Sequence, residues 1–428
     1  SQNKIAGGTF YGPVTQIGTQ INNSQLDEEA LAKRLLSGMK NIQQESLQVK
    51  EEEIKRLKAT IQNLKNQPFD ELKQSALKKL EENKPAEASE LLEQSLAKRS
   101  KVMSQDWVDV GNIAYLTDSR KALDAYQKAI AINPDNIIAW NRLGHIYDRL
   151  GRLDKSVEAY NNVLKLAGGD EFVQAVAYGN LGLIYEKRGE LDKAEDYHLK
   201  ALRINEALGH REGMASNYGN LGLIYRRRGE LDKAEEYHLK SLEIEEALGR
   251  QEGMANQYGN LGLIYQTRGE LDKAEKFLLK SLKINGALGR QEGMANQYGN
   301  LGLIYLTRGE LDKAEKFLLK SLKINEALGR QEGMANQYGN LGLIYQTRGE
   351  LDKAEKFLLN SLKINEALGR QEYMASDYGN LGVIYETRGE LGQACQYWKK
   401  SVVIFKKVGS ATERQVQSWI DESCSETE

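Results

Sequence analysis

A phrase of eight residues, YGNLGLIY, begins at Tyr178, Tyr218, Tyr258, Tyr298 and Tyr338 and returns as YGNLGVIY at Tyr378. The period is 40 residues. Self-similarity on this scale marks units that cannot bury an apolar face alone and must stack on their neighbours. Six units start at Ala175, Ala215, Ala255, Ala295, Ala335 and Ala375, and the middle ones are near copies. Those from Ala255 and Ala295 differ only at Gln266/Leu306 and Gly286/Glu326.

Each unit reads as two helices. In the first, helix A, Tyr258, Leu261, Gly262 and Tyr265 fall at i, i+3, i+4 and i+7 and share one face. It ends at Arg268-Gly269, a basic last turn followed by a residue suited to a left-handed cap. In the second, helix B, Leu271, Ala274, Leu278, Leu282 and Leu288 keep helical spacing, with Glu270 and Asp272 near the positive N-terminal end and Gly289 as the stop. The four prolines stand at 13, 68, 85 and 134, so the rest of the chain reads as helix after helix. A glycine facing leucines and aromatics is a hole that only an adjacent helix fills. The expected fold is all-α: a right-handed superhelix of helix pairs with helix A on the concave side.

The order Trp or Tyr, Leu-Gly, Tyr, Ala, an aromatic, then Ala or Ser resembles the tetratricopeptide repeat. Its 40-residue form is similar to the kinesin light chain repeats and their bacterial relatives. Upstream, Trp140, Leu143, Gly144, Tyr147, Ser156 and Tyr160 form a 34-residue copy, and Trp107, Gly111, Ala122, Tyr126, Ala129 and Pro134 another. A third, degenerate copy runs from Phe69 through Ala76, Ala88 and Leu92. The resemblance covers Phe69 to Gly409 and implies a tetratricopeptide solenoid, with three 34-residue repeats over 68–174 and six 40-residue repeats over 175–410. Six extra residues per unit add about 9 Å of helix and heighten the groove wall. Residues 411–428 are expected to form a capping helix, Arg414 to Ile420, and a disordered acidic tail.

Residues 1–23 combine Thr, Phe, Tyr, Val and Ile with Gly and Pro, the composition of a short β-rich segment. So short a piece needs a partner surface. Over 24–67, Leu47, Ile54, Leu57, Ile61 and Leu64 form a short a/d seam, read either as a coiled coil or as a helix packed on the first repeats. Together, residues 1–67 are expected to make the chain a homo-oligomer, with a flexible tail as the alternative.

Catalytic chemistry finds no residues. His198 and His238 occupy a helix B position taken by Leu278, Leu318 and Leu358 in later repeats, which assigns them to packing. His145 and His210 have no partner at metal-ligand spacing, and phosphate-binding glycine motifs are absent. Two cysteines make neither a disulfide framework nor a four-thiolate zinc site; Cys395 replaces a charged residue of the helix B pattern and Cys424 lies in the tail with no histidine nearby in sequence. No enzyme, metal or cofactor is expected. With 59 Lys+Arg against 61 Asp+Glu the chain has no electrostatic drive toward nucleic acid or anionic lipid. No stretch reaches the roughly 18 to 20 apolar residues of a membrane helix, and the opening lacks a signal-peptide layout. Sparse cysteine suits a reducing compartment, so a cytoplasmic location is expected.

The groove offers more. Asn180, Asn220, Asn260, Asn300, Asn340 and Asn380 precede each Leu-Gly pair on helix A, one per repeat. An amide both donates and accepts, so this ladder either pairs with the backbone of an extended peptide or ties each repeat to the next turn. The resemblance implies the first use. A second ladder, Arg188 to Arg388 at the same period, ends each helix A, and Arg226, Arg227 and Arg228 make a basic cluster that either complements the helix end or attracts an acidic segment. The expected function is a protein-interaction scaffold, oligomeric and multivalent. The alternatives are a sensor subunit of a bacterial signalling or defence system, and a structural assembly protein.

Overall fold

The computed structural model describes residues 27–39, 47–66, 70–97 and 103–424. Among them are 21 helices and no strand; the β-rich reading of 1–23 lies outside the described residues. Two helices, α1 (Glu28–Ser37) and α2 (Leu47–Lys65), precede a series of helical hairpins. The early hairpins are α3 (Glu71–Glu81) with α4 (Pro85–Ala97), α5 (Ser104–Ala114) with α6 (Ser119–Ile132), and α7 (Ile137–Arg149) with α8 (Leu153–Ala167). The six long hairpins pair α9 (Glu171–Lys187) with α10 (Leu191–Ala207), α11 (Arg211–Arg227) with α12 (Leu231–Leu248), and α13 (Gln251–Thr267) with α14 (Leu271–Ala287). They continue as α15 (Gln291–Thr307) with α16 (Leu311–Leu328), α17 (Gln331–Thr347) with α18 (Leu351–Leu368), and α19 (Gln371–Thr387) with α20 (Leu391–Val408); α21 (Glu413–Ser423) closes the end.

Local chemistry sets the helix ends. In the early part, Asp27, Asp70, Asp118, Asn136 and Asp170 cap helices by accepting from backbone N–H groups of the first turn, as Asp118 does from Arg120 and Lys121. In the long repeats the stop is glycine: Gly269 and Gly289 hold φ of 77° and 67°, the left-handed region closed to most side chains. The Glu270 N–H then donates back to the Tyr265 carbonyl at 2.9 Å and closes the turn.

One packing rule runs through the hairpins. A Cβ placed on Gly262 would meet Leu278 at 2.6 Å, and one on Gly182 would meet the His198 ring at 2.6 Å. The small residue of helix A is thus the hole for the knob of helix B, filled by Tyr126 and Tyr160 in the short repeats and Trp398 in the last. His198 and His238 are fully buried, and burial pushes their rings down to about 4, so they pack as neutral groups.

Repeats are joined by a clamp. Glu275 on α14 accepts from the Tyr305 hydroxyl and from Arg308 Nη1, at 2.5 Å for the latter, both on the following helix A; Arg308 Nη2 reaches Asp272 at 2.5 Å. The same set recurs at Glu195, Glu235, Glu315 and Glu355. Burial raises these carboxyls, but the tyrosine and arginine hydrogen bonds outweigh it and hold each below the usual carboxylate range. Their contribution is therefore full above that range and lost as the pH falls through the depressed values.

The far end carries a covalent clip. Cys395 on α20 and Cys424 after α21 form a disulfide. The helix also runs further than the disordered tail expected from Asp421 on. It covers α20 with Val416, Trp419 and Ile420 beside Trp398 and Phe405. Closing a 29-residue separation is worth about 3.5 kcal/mol in the chain-entropy account. Reduction is expected to raise amide exchange of α21 by two orders of magnitude or more, with α9 to α18 unchanged; equal exchange in both redox states would show that the clip does not hold the cap.

Candidate functional site

The A helices lie side by side and present their ladder positions to one face. At the start of the chain that face is occupied. The seam residues Leu57, Ile61 and Leu64 of α2 are buried with Leu31 and Leu35 of α1 and Val110 and Ile113 of α5, and Ile54 packs against the same cluster; the Leu47 side chain lies outside the described ones. This is the packed-helix reading of the seam, made within one chain.

Aligning the short repeats on their Leu-Gly or Ala positions makes Gln74, Asp109 and Arg142 the equivalents of the asparagine ladder. Each of the three holds α2. Gln74 Nε2 donates to the Leu64 carbonyl at 3.0 Å, Asn63 Nδ2 donates to Asp109 at 2.5 Å, and Arg142 Nη1 meets Glu53 at 2.7 Å with both side chains excluded from water. Further along, Lys55 stands over the Phe172 ring, Arg250 pairs with Glu51 at 2.7 Å and Lys50 with Glu252 at 3.2 Å. A single helix thus follows the face from α3 to the start of α13.

Beside the tip of α2 lies a hollow of about 850 Å³. It extends from Ser216 and Asn220 on α11 to Asp377 and Asn380 on α19. Asn220, Asn260, Asn300, Asn340 and Asn380 all line it, half-buried, and their amides make no hydrogen bond among the described residues. Leu223, Leu263, Leu303 and Leu343, one turn on, supply an apolar row. Asn180 differs: it is buried, outside the hollow, and donates to Asn141 at 3.5 Å.

The basic cluster is placed elsewhere. None of Arg226, Arg227 and Arg228 lines the hollow. Arg228 belongs to the inter-repeat clamp with Asp192 and Glu195, each at 2.5 Å, Arg227 donates to the Glu186 carbonyl at 3.2 Å, and burial lowers the Arg226 guanidinium against the opposing charge of Glu186.

Two features of the wall have no counterpart in the sequence reading. A second row of asparagines, Asn256, Asn296 and Asn336, accepts from Arg290, Arg330 and Arg370 of the next repeat at 3.0 to 3.3 Å, so repeats are tied by this row. The other is Glu245, where Asn205, Asn285, Asn325 and Asn365 stand in other repeats. Its carboxylate lies against Gly253, 3.5 Å from Arg250 Nε, and Oε2 has no hydrogen-bond partner among the described residues. Burial pushes it up to about 7; Arg250 opposes, while Glu51, Glu212 and Glu252 add to the rise. A raised carboxyl favours the folded state below the ordinary carboxylate range, and that contribution is lost as the pH rises toward 7. Glu245→Asn is therefore expected to flatten the change of melting temperature between about pH 5 and 7, and an unaltered slope would contradict the assignment.

The repeat model described as tetratricopeptide repeat matches in overlapping pairs of units from 135–207 through 333–407. The chain belongs to the tetratricopeptide-repeat family. That span, 135–407, is well over half of the 428 residues. Curated protein sequences give no match. Among solved structures, the chain is similar to the apo form of the quorum sensor NprR from B. thuringiensis, with 14% identity, a TM-score of 0.59, and coverage of 82% of this chain and 98% of that one. It is also similar to a STAND signal-transduction ATPase with a tetratricopeptide repeat sensor from Pyrococcus horikoshii, with 18% identity and a TM-score of 0.57. That match covers 79% of this chain and 54% of that one, so this chain spans about half of it. The apo form of RapI matches at 17% identity and a TM-score of 0.54, over 64% and 98%. These identities establish a shared fold. The family's stacked repeats offer extended concave surfaces for binding, and no helix among the described residues is long and apolar enough to cross a membrane.

Proposed function

We propose that this tetratricopeptide-repeat chain is a protein-interaction module whose open groove, from α11 to α19, holds an extended segment of another polypeptide. What carries the reading is the contrast along one ladder. Gln74, Asp109 and Arg142 engage the chain's own α2, while the equivalent asparagines from Asn220 onward face a hollow without a partner among the described residues. Self-association is part of the proposal only for residues 1–26, because the α2 seam is used inside the chain.

A sensor role is favoured by one further observation: the tip of α2 is held by Arg250 and Glu252, and the hollow starts beside them at Glu245 and Gly253. A ligand seated there touches the residues that hold the N-terminal helix, and two of the structurally similar proteins are described as a sensor or as carrying one.

The test places a benzophenone side chain at Leu303, in the hollow, or at Leu279, exposed on α14. A random 12-residue peptide library is enriched on the wild-type chain, and the enriched pool is irradiated with each variant. Crosslinking at position 303 is expected to exceed that at 279 at least tenfold; equal yields would place binding outside the groove.

A further inference from the structure

The last helix A of the hollow departs from the others at two wall positions. Three residues before the ladder asparagine, where earlier repeats carry the neutral amides Asn217, Gln257, Gln297 and Gln337, α19 carries Asp377. Four residues before that, where α11 to α17 carry Gly213, Gly253, Gly293 and Gly333, it carries Tyr373. Both new side chains line the hollow, and at a spacing of four they share one face of the helix.

Tyr373 goes with a change of pairing. Arg290 and Arg330 bridge to Glu252 and Glu292 of the preceding helix A, each at 3.0 Å. Arg370, next in that series, has its guanidinium carbon 3.6 Å from the centre of the Tyr373 ring instead, and donates to Asn336 and Asn365, both at 3.0 Å. Glu332, the carboxylate left over, is exposed on the wall of the hollow and has no ion pair among the described residues.

Asp377 is its buried counterpart, only 4% exposed. Oδ2 accepts from the Ser361 hydroxyl at 2.9 Å and from Asn365 Nδ2 at 2.8 Å. Oδ1 makes no hydrogen bond among the described residues; unlike the Gln297 and Gln337 oxygens, which are sealed from water, it keeps open surface, over Gly339 on the wall of the hollow. Burial pushes Asp377 up to about 6 against the hydrogen bonds of Asn365 and Ser361 and the charge of Arg370, so at pH 7.5 it is chiefly an anion. No cation pairs with it among the described residues. The charged residues lining the hollow are Glu245, Arg330, Glu332 and Asp377. Arg250 Nε stands 3.5 Å from Glu245 and Glu292 matches Arg330, whereas Glu332 and Asp377 share only Arg370, whose Nη groups go to amides. A buried anion regains its lost hydration from a cationic donor, and an anionic ligand would be repelled from this corner.

We propose that the α17–α19 end of the hollow seats a lysine or arginine side chain of the bound segment. Its N–H groups donate to Asp377 Oδ1, Glu332 adds attraction from the rim, and the Tyr373 ring covers its methylene stem. Near-identical repeats would let a segment slip by one unit, and a single acidic end sets its register. The proposal rests on the groove reading above and adds the charge and placement of the ligand.

The test starts from a 12-residue peptide enriched on the wild-type chain and from copies in which each Lys or Arg is changed in turn to glutamine. All are titrated by fluorescence anisotropy at pH 7.5 against the wild type, Asp377→Gln and Glu332→Gln. The first variant installs the residue that the fold already holds at Gln337, and the second alters an exposed side chain. One basic residue of the peptide is expected to be worth about tenfold or more on the wild type, almost nothing on Asp377→Gln, and less than the wild-type value on Glu332→Gln. A purely structural Asp377 would weaken every peptide equally and leave that tenfold ratio intact, which would overturn the proposal. Enriched peptides that carry neither Lys nor Arg would overturn it as well; the groove reading would survive either result if binding still vanished in the chain with Asn260, Asn300 and Asn340 changed to alanine. A library that yields no binder would overturn both.

Discussion

Replacing Glu53 with alanine is expected to weaken the docking of α2 by about 3 to 5 kcal/mol, the cost of stranding a buried charge. Glu53 and Arg142 are each 1% exposed and meet at 2.7 Å, with Arg56 adding a second contact to the carboxylate at 2.9 Å. Arg142 Nε and Nη2 have no other hydrogen-bond partner among the described residues, and the guanidinium lies about 6 Å from the Tyr115 and Tyr126 ring centres. Burial opposes ionisation of Glu53, but the charges of Arg142, Arg56 and His145 prevail and hold it below the usual carboxylate range. The pair therefore loosens on acidification. Since the repeats need not melt with α2, the measurement is amide exchange on Glu53 to Lys65, expected to rise by at least a hundredfold. Replacing both partners with apolar residues, Glu53→Leu with Arg142→Met, is expected to restore most of the protection, because no charge is then left unpaired. Unchanged exchange in Glu53→Ala would show that the ladder position does not hold the helix.

The repeat architecture was legible because packing writes itself in the sequence at short range. Gly262 and Leu278 are 16 residues apart within one unit, and Gly269 announces its own left-handed turn. The histidines were legible for the same reason, as repeat mates of leucines. What escaped depends on partners far along the chain. The arginine before each glycine does close helix A, yet its carboxylates lie 33 and 36 residues upstream, as for Arg308 with Glu275 and Asp272. The α2 seam has the same spacing whether its partner is a second chain or the first repeats. The equivalence of Gln74, Asp109 and Arg142 to the asparagines was hidden by their different side chains. Gln297 and Gln337, whose Oε1 atoms are buried without a hydrogen-bond partner among the described residues while Gln257 Oε1 meets His238 Nδ1 at 2.8 Å, leave a signal only when read against another position, the change from His238 to Leu278.

The ladder itself is the second large effect. If each amide contributes about 1 kcal/mol to a bound backbone, removing three costs about 3 kcal/mol, or roughly a hundredfold in affinity. Asn260, Asn300 and Asn340 are the three to change, because they lie in near-identical repeats and have no hydrogen bond to lose among the described residues. The decisive measurement is the dissociation constant of a library-enriched peptide for the wild-type chain and for the triple alanine variant, alongside their melting temperatures. A hundredfold loss of affinity at constant stability is the predicted result. Retained affinity, or a fall in stability that accounts for the loss, would mean that these asparagines serve the solenoid and not a ligand.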